Sequence, residues 1–247
     1  MNGAPPVGQG LFQTATIGAL LDGVYDGEMT LAELAAHGDF GLGTFNHLDG
    51  EMVAVDGQFH QLRSDGSAAP AAPTVRTPYA AVTFFRPDHE QSINEPLRFT
   101  DLERLVSLMT PSPNLFYAIR VDGHFGSVTT RTVSRQSPPF VPLATATDQD
   151  AVHRFTDVRG TVVGFRTPAF AQGIAVAGDH LHFLTDTKDG GGHVLDFVVA
   201  SGTVQIAAQP GIHLDLPRTD AFLHADLTRP DTDAEIRRAE GGRRVGS

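Results

Sequence analysis

The chain has 247 residues, 40% of them hydrophobic and 19% charged, enough apolar material for a sizeable packed interior and too little charge for a disordered polymer. The formal charge is −11 and the pI is near 5.3. No basic stripe is present to meet a nucleic-acid backbone or an anionic lipid surface; the only adjacent arginines, Arg237-Arg238 and Arg243-Arg244, stand in the last few residues. Cysteine is absent, which excludes disulfides, thiolate ligands and Cys nucleophiles.

Residues 1–10 read as a loose tail with neither the basic nor the apolar part of a secretory leader. No apolar run approaches the ~20 residues of a membrane helix, so a cytoplasmic protein without nucleic-acid or membrane partners is expected. Residues 14–22 and 29–37 have apolar residues at helical spacing, and Thr30 with Glu33 fits a capping box. Residues 52–55 and 58–63 flank Asp56-Gly57, a hairpin signal. Residues 64–76 read as a loop, 79–85 as a buried strand and 101–109 as a helix ending before Pro111. Residues 115–121 and 127–134 read as two strands that pair. Further strands are expected at 160–165, 173–177, 180–184, 193–199 and 203–208, with Ser201-Gly202 as a tight turn between the last two. A short helix at 232–240, with Thr232 and Glu235 as its capping box, precedes a disordered tail at 241–247. The 26 Gly and 16 Pro agree with many turns. The fold class is therefore α+β and β-rich, with mixed or antiparallel sheets. The Pro-containing stretch beginning at Ser137 is the expected seam between an N-terminal α/β sheet domain at 11–136 and a C-terminal β-rich domain at 137–240.

The segment GDHLHFLTDTKDGGGHVLDF, residues 178–197, concentrates the chemistry. His180 and His182 are two apart on an expected strand, so they share a face. A polar, Gly-rich turn follows, and His193 opens the next strand. In a hairpin His193 falls across from His182, and three imidazoles converge. An H-x-H pair alone is more often a surface or core pair; the third His after a Gly-rich turn puts a metal on even terms with that reading. Three imidazoles with open positions suit Zn²⁺ as a Lewis acid, and other divalent metals as well. A cupin would place a Glu a few residues on, and residues 183–192 contain none. No P-loop or dinucleotide fingerprint occurs.

The same segment resembles the metal motif of the α-acetolactate decarboxylases. Further blocks agree in order: Tyr25-Asp26-Gly27, HGDFGLGTFN from His37 to Asn46, Leu48-Asp49-Gly50-Glu51, Asn114-Leu115-Phe116-Tyr117, Thr130-Arg131 with Gln136, Pro142-Leu143 and Gly160-Thr161-Val162-Val163-Gly164-Phe165. They span roughly residues 11–240. The chain departs from the family at Asp179, Phe140 and His60, each of which stands where Tyr is common.

The resemblance implies His180, His182 and His193 as metal ligands, Glu51 and Glu240 as acidic groups at the metal, Arg131 as a cationic partner and Thr44 as a pocket residue. Glu235 competes with Glu240. By default Glu51 and Glu240 would be solvated charges and Arg131 a surface cation or an ion-pair partner. The implied reaction is metal-dependent decarboxylation of 2-acetolactate to acetoin through an enediolate, with one Glu delivering the proton stereospecifically. The implied protein has two closely packed domains, with the metal on a C-terminal β-hairpin. It is a homodimer working in acetoin and butanediol formation. The competing readings are a zinc-dependent hydrolase on the same three histidines and a non-catalytic small-molecule-binding β module.

Overall fold

Short β-branched and aromatic runs broken by Gly and Pro favour strands over long helices, and strands carry most of the chain. The computed structural model describes residues 10–228 and 232–239. Two large sheets and one small two-stranded sheet form its frame. The expected tails, apart from Gly10, lie outside the described residues, as does Glu240.

The first sheet has seven strands in the order Ile212–Asp215, Leu11–Thr14, Ala80–Thr83, Phe40–Thr44, Glu51–Val55, Gln58–Leu62 and Ala68–Pro70. Only the pair Leu11–Thr14 with Ile212–Asp215 is parallel. At the expected hairpin both Asp56 and Gly57 take positive φ, 51° and 76°, the backbone of a tight turn whose twist matches its strands. The helix Leu31–Leu34 begins with the expected Thr30–Glu33 capping box.

The second sheet is antiparallel. Gly178–Thr185 pairs with Ala151–Thr167 on one side and with the start of Gly191–Gln209 on the other, and Phe116–Thr132 pairs with both of those long strands. Four strands thus close on themselves around Phe125, Phe183 and Phe197, and the helix Phe99–Met109 lays Leu102 and Val106 on that cluster. Arg166 clamps the arrangement: it donates to both carboxylate oxygens of Asp179, at 2.6 and 2.7 Å, and to the Ser107 hydroxyl at 2.9 Å. The Asp179 side chain is only 2% exposed, so removing one partner would cost about 3–5 kcal/mol. Asp179 is thereby committed to packing the sheet on its helix.

The two sheets meet face to face through Leu11, Phe40, Leu42, Val53 and Leu62 of the first and Ala118, Val163, Phe165, Leu184 and Ala207 of the second. At one end of this layer a further apolar cluster joins Ile17, Leu20, Leu48, Leu143, Ile236 and Ala239, bringing the helices Ile17–Leu21, Leu143–Ala146 and Thr232–Ala239 over the gap between the sheets. Strands from both sides of residue 137 share the second sheet, while Ile212–Asp215 returns to the first.

Three local expectations need correction. Residues 115–121 and 127–134 do not pair with one another; they lie in one bent strand, Phe116–Thr132, whose register slips around Phe125. Ser201-Gly202 is not a turn, because Gly191–Gln209 runs straight through it. Gly202 lies opposite Gly123, and a Cβ there would sit 2.2 Å from the Asp122 carbonyl oxygen. The glycine thus relieves a close approach. Residues 173–177 form no strand; Ala175 makes an isolated bridge to Gln172, with a left-handed Gly173 (φ 90°) between the two.

His60 faces Val53 and Pro70 across its strand and is 2% exposed, with no hydrogen-bond partner at Nδ1 among the described residues. Burial, and secondarily the charge of Lys188, hold its pKa below the usual value. The folded state therefore keeps His60 neutral while the unfolded chain takes up a proton below about pH 6.5. Stability is full above that pH and declines as pH falls through it. A His60→Tyr variant should lose less melting temperature than the parent between pH 7.5 and 5.5 in thermal scans. An identical loss in both would contradict this.

Candidate metal centre and cavity

Alternation puts His180 and His182 on the face of Gly178–Thr185 that also carries Leu184, the face turned toward the first sheet. The chain then reverses through a turn in which the Thr185 and Thr187 hydroxyls both donate to Asp189 and Lys188 takes a positive φ of 60°. The reversal sets His182 directly opposite His193. Ring centroids of the three imidazoles are 5.0–5.4 Å apart, and one nitrogen from each lies within 4.8 Å of the others. All three side chains are buried.

The Met52 carbonyl of the first sheet lies 2.9 Å from His182 Nδ1. A carbonyl only accepts, so Nδ1 carries the hydrogen and Nε2 is left with a lone pair. That Nε2 is buried and has no hydrogen-bond partner among the described residues. A carboxylate oxygen of Glu51 stands 3.7 Å from it. A proton could reconcile two electron-rich atoms at this separation. However, burial first, then the charges of His180 and Arg131, hold the His182 pKa well below its usual value. Burial and Arg131 bring His180 down to about 3. Neutral imidazoles with an orphaned ring nitrogen are the form a divalent cation requires, and the donor set fits one.

The first sheet supplies the other wall. Thr44 and Glu51 are cross-strand neighbours. The intervening loop takes left-handed conformations at His47, Leu48 and Gly50 (φ 65°, 53° and 87°), and the Thr44 hydroxyl donates to the Gly50 carbonyl at 2.7 Å. This bend starts the next strand with Glu51 at the edge of the cavity. On the second sheet Arg131 is the register neighbour of His193. Arg131 donates to Asp150 at 2.5 Å and to the Ala239 carbonyl, the last residue of the terminal helix.

Thr44, Glu51, Arg131, His180 and His193 line one cavity of about 410 Å³, its mouth included, closed by Ile17, Leu20, Leu48, Leu143 and Ala239. Five of the residues singled out in the sequence thus line one cavity from two sheets, and His182 is not among its lining residues. Glu240 falls outside the described residues; its neighbour Ala239 lines the cavity. Sequence reading missed Asp150, Tyr79 and Thr147. Asp150 in particular looks like any acid in a polar run. Phe140 packs against Tyr25 and His47, with ring centroids at 5.1 and 5.6 Å, and His60 is buried elsewhere. None of the three departures from the family lines this cavity.

Fold and site together define a β-sheet protein with a candidate metal centre beside a partly open, largely apolar pocket. The chain belongs to the alpha-acetolactate decarboxylase family, whose sequence profile matches residues 11–229. The alpha-acetolactate decarboxylase of Bacillus subtilis strain 168 is 48% identical over 236 residues, covering 96% of this chain and 92% of the relative. That of Methylococcus capsulatus is 46% identical over 230 residues, covering 93% and 88%. A crystal structure of the Bacillus subtilis protein agrees with a TM-score of 0.91 at 47% identity, covering 93% of this chain and 98% of that one.

Replacing His193 by Ala should abolish stoichiometric metal while leaving the sheets folded. Elemental analysis after dialysis is expected to give about one metal per parent chain, the number of ions one three-imidazole site holds, and almost none in the variant. Equal metal in both would remove His193 from the site.

Proposed function

We propose that the chain decarboxylates 2-acetolactate to acetoin with a divalent metal, Zn²⁺ in this reading, held by His180, His182 and His193. The observation that carries the proposal is the buried imidazole cluster, two of whose histidines share a cavity with Glu51 and Arg131, in a chain of this family. When bound, the metal supplies a Lewis acid that polarises the substrate's ketone and hydroxyl oxygens.

The remaining work falls to the chain. The Arg131 Nε–H is buried and has no partner among the described residues, so it is a donor kept for the substrate carboxylate. The apolar wall of Ile17, Leu20, Leu48 and Leu143 keeps water off the reacting carbon and leaves a low-dielectric site in which fixed charges act strongly. The bond from the carboxylate to C2 breaks, CO₂ leaves, and the electron pair is delocalised onto the neighbouring ketone oxygen. A proton delivered to C2 completes acetoin. Glu51 or Glu240 delivers it from one face, which makes the product a single enantiomer. The two-domain, homodimeric, cytoplasmic enzyme of acetoin and butanediol formation belongs to the same proposal.

Purified, metal-loaded protein should form acetoin from racemic acetolactate well above the spontaneous rate. Its absence would overturn the proposal. Glu51→Gln should keep its metal yet slow the reaction by roughly 10²-fold or more, the scale of a lost general acid, or else release acetoin of lower optical purity on a chiral column. Full rate and chirality in both Glu51→Gln and Glu240→Gln would remove the carboxyl groups from proton delivery.

A further inference from the structure

Arg131 is held from two sides. The 3₁₀ turn Thr147–Gln149 precedes Asp150, whose N–H donates to the Thr147 carbonyl at 3.2 Å. Two residues further on, Val152 is the register neighbour of Arg131. The turn therefore folds the Asp150 carboxylate back onto the guanidinium. The pair sits at 2.5 Å with side chains 5% and 12% exposed. The other terminal nitrogen of Arg131 donates to the Ala239 carbonyl, and Nε is the guanidinium nitrogen without a hydrogen-bond partner among the described residues.

We propose that Asp150 is a positioning residue for the decarboxylation: it holds Arg131 in place and offsets its charge, so that the guanidinium orients the substrate carboxylate without clamping it. The inference rests on the function proposed above. A carboxylate loses its charge as CO₂ forms. A bare buried cation beside it would stabilise the ground state more than the transition state, tightening binding and slowing the chemistry. A carboxylate in direct contact with that cation cancels most of its field while leaving the direction of its N–H groups intact. The same pairing lets a guanidinium stand close to a dication site without strong repulsion.

The test compares the metal-loaded parent with Asp150→Asn and Asp150→Glu. The readouts are kcat and KM on acetolactate, and the inhibition constant of 2-hydroxy-2-methylpropanoate, which has the carboxylate, hydroxyl and methyl groups but no ketone. Melting temperature and metal content show that each variant is folded and loaded. Asparagine keeps an acceptor for Arg131 and removes the charge, so Asp150→Asn should bind the inhibitor about tenfold more tightly, lower KM and lower kcat by about tenfold or more. Asp150→Glu keeps the charge and should stay within about threefold of the parent in both. A folded, loaded Asp150→Asn protein with parental constants, or one with weaker inhibitor binding, would overturn the inference. If Asp150→Asn fails to fold, Asp150→Glu decides: constants near the parent's support the inference, and a loss of about a hundredfold in kcat overturns it. A parent that forms no acetoin would instead refute the proposed function itself.

Discussion

The hydrogen bond from His182 Nδ1 to the Met52 carbonyl, 2.9 Å across the gap between the sheets, is the contact on which the site depends. It joins the hairpin that carries the histidines to the strand that carries Glu51, and it fixes which ring nitrogen holds the proton. The opposite nitrogen keeps a lone pair with no hydrogen-bond partner among the described residues, open to a cation. A backbone carbonyl cannot be lost by substitution and cannot titrate, so it is a firmer second-layer partner than a carboxylate would be. The face-to-face packing of Val53, Leu62, Val163 and Leu184 holds the two strands at the separation this bond needs.

The cavity's other side is assembled differently. Its apolar rim comes from three short helices that bury Ile17, Leu20, Leu143, Ile236 and Ala239 against one another. Short helices have little stability of their own and are fixed by tertiary packing. Arg131 links this rim to the second sheet through the Ala239 carbonyl, a cation at a helix C-terminus where it also favours the helix dipole. The arginine proposed to orient the substrate thus also anchors the apolar rim of the site.

Much of this was legible in the sequence because it is local. Alternation along a strand places His180 and His182 on one face, and a Gly-rich reversal brings back His193. Asp56-Gly57 and the Thr30–Glu33 box likewise announced a turn and a helix start. What escaped depends on contacts between distant segments. Nothing in the run around Asp150 marks it as a buried partner of Arg131, since its environment is made by a 3₁₀ turn and by strand register. The Met52 carbonyl carries no side-chain signature at all. Gly202 was read as a turn because glycine relieves close approach and reverses the chain with the same letter. The apolar residues at 173–177 suggest a strand, but the backbone there pairs only locally, Ala175 bridging back to Gln172.

The central claim is that neutral imidazoles on this hairpin hold a metal on which the reaction depends. Release of CO₂ from acetolactate should be measured on the parent protein as purified, after chelation and dialysis, and after return of zinc. A rate that falls to the spontaneous baseline on chelation, in protein whose circular dichroism is unchanged, and recovers at about one equivalent of metal, as expected for a single three-imidazole site, is the result the structure calls for. A full rate in demonstrably metal-free protein would contradict it.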